Sequence, residues 1–290
     1  MSILTFISRR LGLVLFTTLL AACASAPLAP PAAPVGHFID LSSGAHLYYE
    51  IRGSGRPLVM LHGGGSSIET TFGKIIPYFA DRQLILIEQQ GHGHSPDFER
   101  DFSFSEMADD TNELLDSIGI DSADVFGFSN GASVALELAI RHPARVQKMV
   151  LGSTFFRVDG ITPEARAMFK LPPSIDRMPQ VLKDEYRRIA PNPGDLPVLV
   201  KKEMKMLTHL KNIPLKDMKG ILSPALILIG EHDIIQPRHA AEMAKLIRGS
   251  RYVVLPGGHG SYLGQADAPM VGVDMPKTTA AMIAEFLATP

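Results

Sequence analysis

Cysteine is nearly absent: Cys23 is the single one among 290 residues, so no internal disulfide holds this chain together. Basic runs are missing too. After the first ten residues no stretch of more than a few cationic side chains occurs and the net charge is −2, which leaves nothing for a nucleic-acid partner to grip. The apolar run at the start, Leu11 to Leu20, is too short to cross a bilayer as a permanent helix. No internal repeat interrupts the chain. What is abundant is apolar matter, 46% of the residues, enough for one well-buried core and an inserted cap.

The first 22 residues read as a signal peptide: Arg9 and Arg10 give a positive start, an apolar run follows, and Ala21-Ala22-Cys23 closes it. Leu20-Ala21-Ala22-Cys23 resembles the lipobox of bacterial lipoproteins, which implies cleavage before Cys23 and lipid attachment to it. Residues 23–35, rich in proline and alanine, favour extended backbone and form no core, so they read as a tether. The expected partner at this end is a membrane, and the expected location is the bacterial cell envelope, on the outer membrane or the periplasmic face.

From residue 36 to 290 strand and helix patterns alternate. Two short alternating segments, His37 to Leu41 and His46 to Arg52, flank Ser42-Ser43-Gly44 and predict a leading hairpin. Continuous apolar runs at Leu58–Leu61, Leu84–Ile87, Asp124–Phe126, Lys148–Leu151, Ala225–Ile229 and Tyr252–Leu255 suit strands buried on both faces. Helical spacing separates several of them, as in Met107, Ala108, Thr111, Leu114 and Leu115, where Ser103 and Glu106 have capping-box spacing. The class is therefore α/β, a mainly parallel sheet flanked by helices. Residues 157–220 break the rhythm with eight prolines and helical spacing only, and predict a helical cap inserted between two strands.

The chemistry gathers at strand ends, where parallel sheets place it. Gly127-Phe-Ser129-Asn130-Gly131 follows one apolar run and precedes a helix, the place for a serine held in a strained turn with its hydroxyl exposed. His62-Gly63-Gly64-Gly65 ends another strand, so the amides of Gly64 and Asn130 are the expected oxyanion donors. No Lys-Ser or Lys-Thr follows that glycine loop, which argues against a phosphate cradle. Asp233 and His259 stand just past two later strands, in the chain order Ser, Asp, His. The remaining histidines, among them His62, His92, His94 and His232, do not converge as a metal site needs, and no cofactor is expected.

These segments, Leu-His-Gly-Gly-Gly at 61, Gln-Gly-His-Gly-His-Ser at 90, Gly-Phe-Ser-Asn-Gly at 127, Gly-Glu-His-Asp at 230 and Pro-Gly-Gly-His at 256, resemble the α/β-hydrolase fold. The resemblance implies Ser129 as nucleophile, His259 as base and Asp233 as its orienting acid. Gln90 stands where such proteins usually carry arginine, and Glu88 where aspartate is common; both changes fall on a structural loop. The expected activity is hydrolysis of a carboxylic ester or lactone through an acyl-enzyme. Carbon–carbon bond hydrolysis, peptidase and acyltransferase chemistry use the same triad and stay open, as does a non-catalytic binding role. The absence of tryptophan counts against a proline iminopeptidase. Apolar residues of the cap, with Met168, Met178, Met204 and Leu207 among them, suit a small hydrophobic substrate.

Overall fold

The computed structural model describes residues 35–272 and 274–289; the signal peptide, Cys23 and all of the tether but Val35 lie outside them. Eight strands form one sheet: β1 (Gly36–Asp40), β2 (His46–Arg52), β3 (Arg56–Leu61), β4 (Arg82–Ile87), β5 (Ala123–Phe128), β6 (Val146–Gly152), β7 (Ala225–His232) and β8 (Arg251–Gly258). Their order is β1-β2-β4-β3-β5-β6-β7-β8. β1 pairs antiparallel with β2 and β2 with β4, while every later pair is parallel.

The continuous apolar runs are divided by the pleat, successive side chains going to opposite faces. Val59, Leu61, Val125, Leu151 and Ile227 pack on one face with side chains of α2 (Phe104–Ser117), α3 (Asn130–Arg141) and α8 (Pro237–Leu246). Leu58, Met60, Phe126, Val150 and Leu228 pack on the other with side chains of α1 (Ile68–Phe72) and α9 (Met275–Ala288). β8 departs from the expected burial on both faces. It is the edge strand, and Tyr252 and Val254 are exposed. The predicted capping box of α2 is only half made: the Ser103 side chain accepts from the Glu106 amide, but Glu106 is exposed and returns no bond. The reciprocal pair belongs to α1, between Ser67 and Thr70.

Between β6 and β7 the chain forms α4 (Pro163–Phe169), α5 (Gln180–Ile189), α6 (Leu196–Thr208) and α7 (Leu215–Gly220), with short 3-10 turns and no strand among them. Prolines mark where these helices begin. Pro163 and Pro197 fill the first turns of α4 and α6, where the missing N–H is no loss, and Pro179 and Pro214 cap α5 and α7. The register aligns the strand ends beneath this insertion: Leu61 pairs with Gly127, and Phe128 with Gly152.

Candidate active site

β5 ends at Phe128 and α3 begins at Asn130, so Ser129 alone makes the turn. Its backbone takes φ 53° and ψ −117°, a conformation that costs a non-glycine residue about 1–3 kcal/mol and persists only under strong constraint. The constraint is visible. The Ser129 amide donates to Gly152 O at 2.8 Å, and its carbonyl accepts from Ala132 and Ser133 as the first bonds of α3. Glycine is required on both sides because backbones approach there: a Cβ on Gly127 would lie 2.3 Å from Gly131 O, and one on Gly131 would lie 2.0 Å from Leu61 O.

Asp233 lies just past the end of β7 and His259 just past the end of β8. His259 Nδ1 is 2.8 Å from Asp233 Oδ1, and His259 Nε2 is 3.0 Å from Ser129 Oγ. A carboxylate only accepts, so Nδ1 carries the proton and Nε2 is free to accept from the serine hydroxyl. The imidazole leans on the Phe128 ring, with centroids 4.9 Å apart. Asp233 is buried. It accepts further bonds from the amides of Gly230 at 3.0 Å and Ile235 at 3.2 Å, and from the Ser153 hydroxyl. Burial pushes this carboxyl up, but the His259 charge and the hydrogen bonds from His259, Ser153 and Gly230 outweigh it and hold it below the usual aspartate value.

Ser153 was not singled out in the sequence, where it shows only as a serine after an apolar run. Among the described residues it is the other non-glycine one with positive φ, 52°, and its hydroxyl links Asp233 to Tyr262, whose oxygen is 2.7 Å away.

The glycine loop after β3 lies against this site, since a Cβ on Gly63 would come 3.5 Å from Ser129 Cβ. Gly63 donates a long bond to Thr71 Oγ1. The amides of Gly64 and Asn130 have no acceptor among the described residues, and Asn130 opens α3, whose own ladder leaves its first N–H groups unspent. His62 is neutral: Nδ1 donates to Gly63 O at 2.7 Å, Nε2 accepts from the Gln89 amide at 3.1 Å, and burial pushes its pKa down to about 3. His92 is likewise buried and pushed down to about 4. His94 bonds a side chain instead of loop backbone: its ring meets the Glu88 carboxylate at 2.8 Å. Glu88 also accepts from the His94 and Ile68 amides, and Gln90 bridges Asp97, Phe98 and Arg100, so both residues hold the loop together. His232 is exposed and apart from the triad.

A cavity of about 310 Å³ opens above Ser129, and Met168, Phe169, Met178, Leu182, Met204 and Leu207 of the cap line it. Pro179 and Val200 line it as well, whereas several other apolar residues of the cap region do not. Phe156 and Tyr186 are buried in the core, and Leu171 is exposed. Ser174, Arg177 and Glu203 are the polar cap residues that line it. Glu203 on α6 reaches Asn130, whose Nδ2 donates to its Oε1 at 2.9 Å. Burial pushes the Glu203 carboxyl up to about 7, with the Asn130 bond opposing. A usable signal for it was present in the sequence: Leu196, Leu199, Glu203, Met206 and Leu210 share helical spacing, so an acid occupies an otherwise apolar stripe.

A family model for the α/β hydrolase fold matches residues 56–193. The human serine hydrolase BPHL is 27% identical over 261 residues, covering 83% of this chain and 87% of that one. 2-Hydroxymuconate semialdehyde hydrolase from Pseudomonas sp. is 32% identical over 45% of this chain and 47% of its own length. The chain spans less than half the length of several curated relatives it matches. Among solved structures, a thermophilic esterase from Thermogutta terrifontis has a TM-score of 0.67 at 22% identity, covering 88% of this chain and 98% of that one. At that identity the likeness concerns the fold.

Proposed function

We propose that this chain, which has the α/β-hydrolase fold, is a serine hydrolase acting on a carboxylic ester or lactone. The observation that carries the reading is the unbroken chain of hydrogen bonds from Ser129 through His259 to Asp233 beneath an apolar cavity. Ser129 Oγ attacks the carbonyl carbon as its proton passes to His259 Nε2, and Asp233 stabilises the imidazolium. The carbonyl oxygen takes up the charge and is held by the Gly64 and Asn130 amides. One such donor typically accounts for about 10² to 10³ in rate. The bond to the leaving oxygen then breaks, His259 returns the proton to it, and an acyl-serine remains. Water attacks that ester, giving its proton to His259, and the acid leaves with Ser129 restored. The likeness to a 2-hydroxymuconate semialdehyde hydrolase supports carbon–carbon hydrolysis as the second reading.

The test is hydrolysis of p-nitrophenyl esters from acetate to long acyl chains by the full chain and by Ser129→Ala. The variant is expected to lose turnover by roughly 10⁴-fold or more, and the chain-length optimum should be short, as the cavity volume implies. A folded protein that hydrolyses no ester would overturn the reading and move it to carbon–carbon substrates.

We further propose that Cys23 carries a lipid anchor and that the enzyme works in the bacterial envelope; the support is the sequence Leu20-Ala21-Ala22-Cys23 after an apolar segment. Fractionation of cells should find the wild-type chain with membranes and Cys23→Ser soluble. Identical distributions would refute the anchor.

A further inference from the structure

Glu203 is the feature of the cavity that ester hydrolysis as described leaves without a role. It comes from α6 of the cap, yet it lies against the loop and the turn that surround the nucleophile. A Cβ on Gly64 would fall 1.6 Å from Glu203 Oε1 and 2.3 Å from Asn130 Nδ2. Oε1 is therefore packed on Gly64, one of the two expected oxyanion donors, and glycine at 64 is what makes room for it. Oε1 spends its acceptor capacity on Asn130. Oε2 sits 3.4 Å from where a Gly65 Cβ would be and has no hydrogen-bond partner among the described residues. Nor does any cation pair with this carboxyl among them. Arg177 and Asp267 also line the cavity but are exposed, and the Arg177 guanidinium is turned to Pro172 O.

Packing does not explain an acid here. Met178, Val200, Met204 and Leu207 line the same cavity, and a leucine or methionine would fill this half-buried place without the cost of partly desolvating a carboxylate. The Asn130 bond does not explain it either, because glutamine presents the same acceptor. What a glutamine lacks is charge. A carboxylate beside the oxyanion site opposes the negative charge that forms there, unless something positive is bound with the substrate.

Resting on the serine-hydrolase reading, we propose that Glu203 determines specificity in this cavity: it selects acyl groups that carry an ammonium within a few carbons of the carbonyl and turns away acyl groups that carry a carboxylate. The ammonium hydrogen-bonds to Oε2 and neutralises the acid next to the reacting carbonyl. An anionic acyl group must either face a like charge or force the carboxyl to keep its proton. The Glu203 carboxyl, raised to about 7, is divided between its two forms near neutral pH, and a bound ammonium draws it into the charged form.

The experiment compares p-nitrophenyl esters of 3-aminopropanoate, butanoate and succinate, nearly equal in size, on the full chain and on Glu203→Gln at pH 7.5, with spontaneous hydrolysis subtracted. In the wild-type chain kcat/KM for the amino ester should exceed that for butanoate by at least about tenfold, and succinate should fall at least about tenfold below butanoate. In Glu203→Gln both ratios should shrink toward one by about tenfold, whatever the absolute rates. Ratios that are the same in both proteins, or a wild-type preference for succinate, would overturn the proposal. A calorimetric comparison of butylammonium with 1-butanol on Ser129→Ala, with and without Glu203→Gln, needs no turnover. Ammonium selectivity that disappears with Glu203→Gln, in a protein that hydrolyses no ester, would sink the hydrolase reading and keep this one. Ester turnover without ammonium selectivity in either measurement would do the reverse.

Discussion

Ser153 illustrates how one side chain sets the charge state of another. Its hydroxyl donates to Asp233 Oδ2 from a backbone at φ 52°, so the molecule tolerates strain to keep the contact. Asp233 is held below its usual pKa in the fold. The sign follows: a carboxyl lowered on folding adds stability that is present at neutral pH and is lost as pH falls through the folded value. Ser153→Ala deletes a donor to a charged acceptor, a bond worth about 1.5–3 kcal/mol, and should lose stability of that order at pH 7 but less at pH 3. Ser153→Gly deletes the same bond while relieving the backbone, and should fall less far. Urea denaturation at the two pH values tests this; equal losses at both would mean that Ser153 acts on packing and not on the Asp233 carboxylate.

At the scale of elements, the strand-turn-helix of β5 and α3 is held by close backbone contacts on both sides of Ser129. A Cβ at position 131 meets the backbone of Leu61 and His62, which cannot swing away as a side chain would. Gly131→Ala is therefore expected to cost about 1–3 kcal/mol or more, and to lower kcat by about 10²-fold by displacing Ser129 from His259. A thermal melt beside ester kinetics would check it, and wild-type values for both would contradict the close approach.

This turn was legible in the sequence, because glycines two residues either side of a serine at the end of an apolar run have few other uses. The parallel strands were legible for the same reason: Leu58–Leu61 and Ala225–Ile229 lack the polar alternation that a solvated face demands. β8 misled because Tyr252-Val-Val-Leu255 has the same composition, and only the strand order places it at an edge. The extra residues around the site were harder to find. Ser153 had no local mark beyond a strand end, since its partner Asp233 is 80 residues away. Glu203 was marked by its place on an apolar stripe, but which surface that stripe covers depends on how α6 settles over the glycine loop and the Ser129 turn.

At the scale of the whole molecule, the cap lies between β6 and β7, after Ser129 in the chain and before Asp233 and His259. On the serine-hydrolase reading proposed above, the scaffold contributes nucleophile, base and acid, while the insertion contributes most of the cavity's roof and Glu203. That reading puts chemistry and selection on separate stretches of chain, so substitutions in α4, α5 or α6 are expected to change which acyl group is accepted while β5, β7 and β8 keep Ser129, Asp233 and His259 in register.

The distance along the chain between Ser129 and His259 is 130 residues. Neither half of the sequence contains both, and the two meet only when β5, β6, β7 and β8 have paired side by side. If Ser129 is the proposed nucleophile, a reagent that phosphonylates an activated serine reports more than its presence: it counts the molecules whose sheet is complete. Each labelled chain would then be a folded one, and the rate at which labelling disappears on warming a clock for the opening of that sheet.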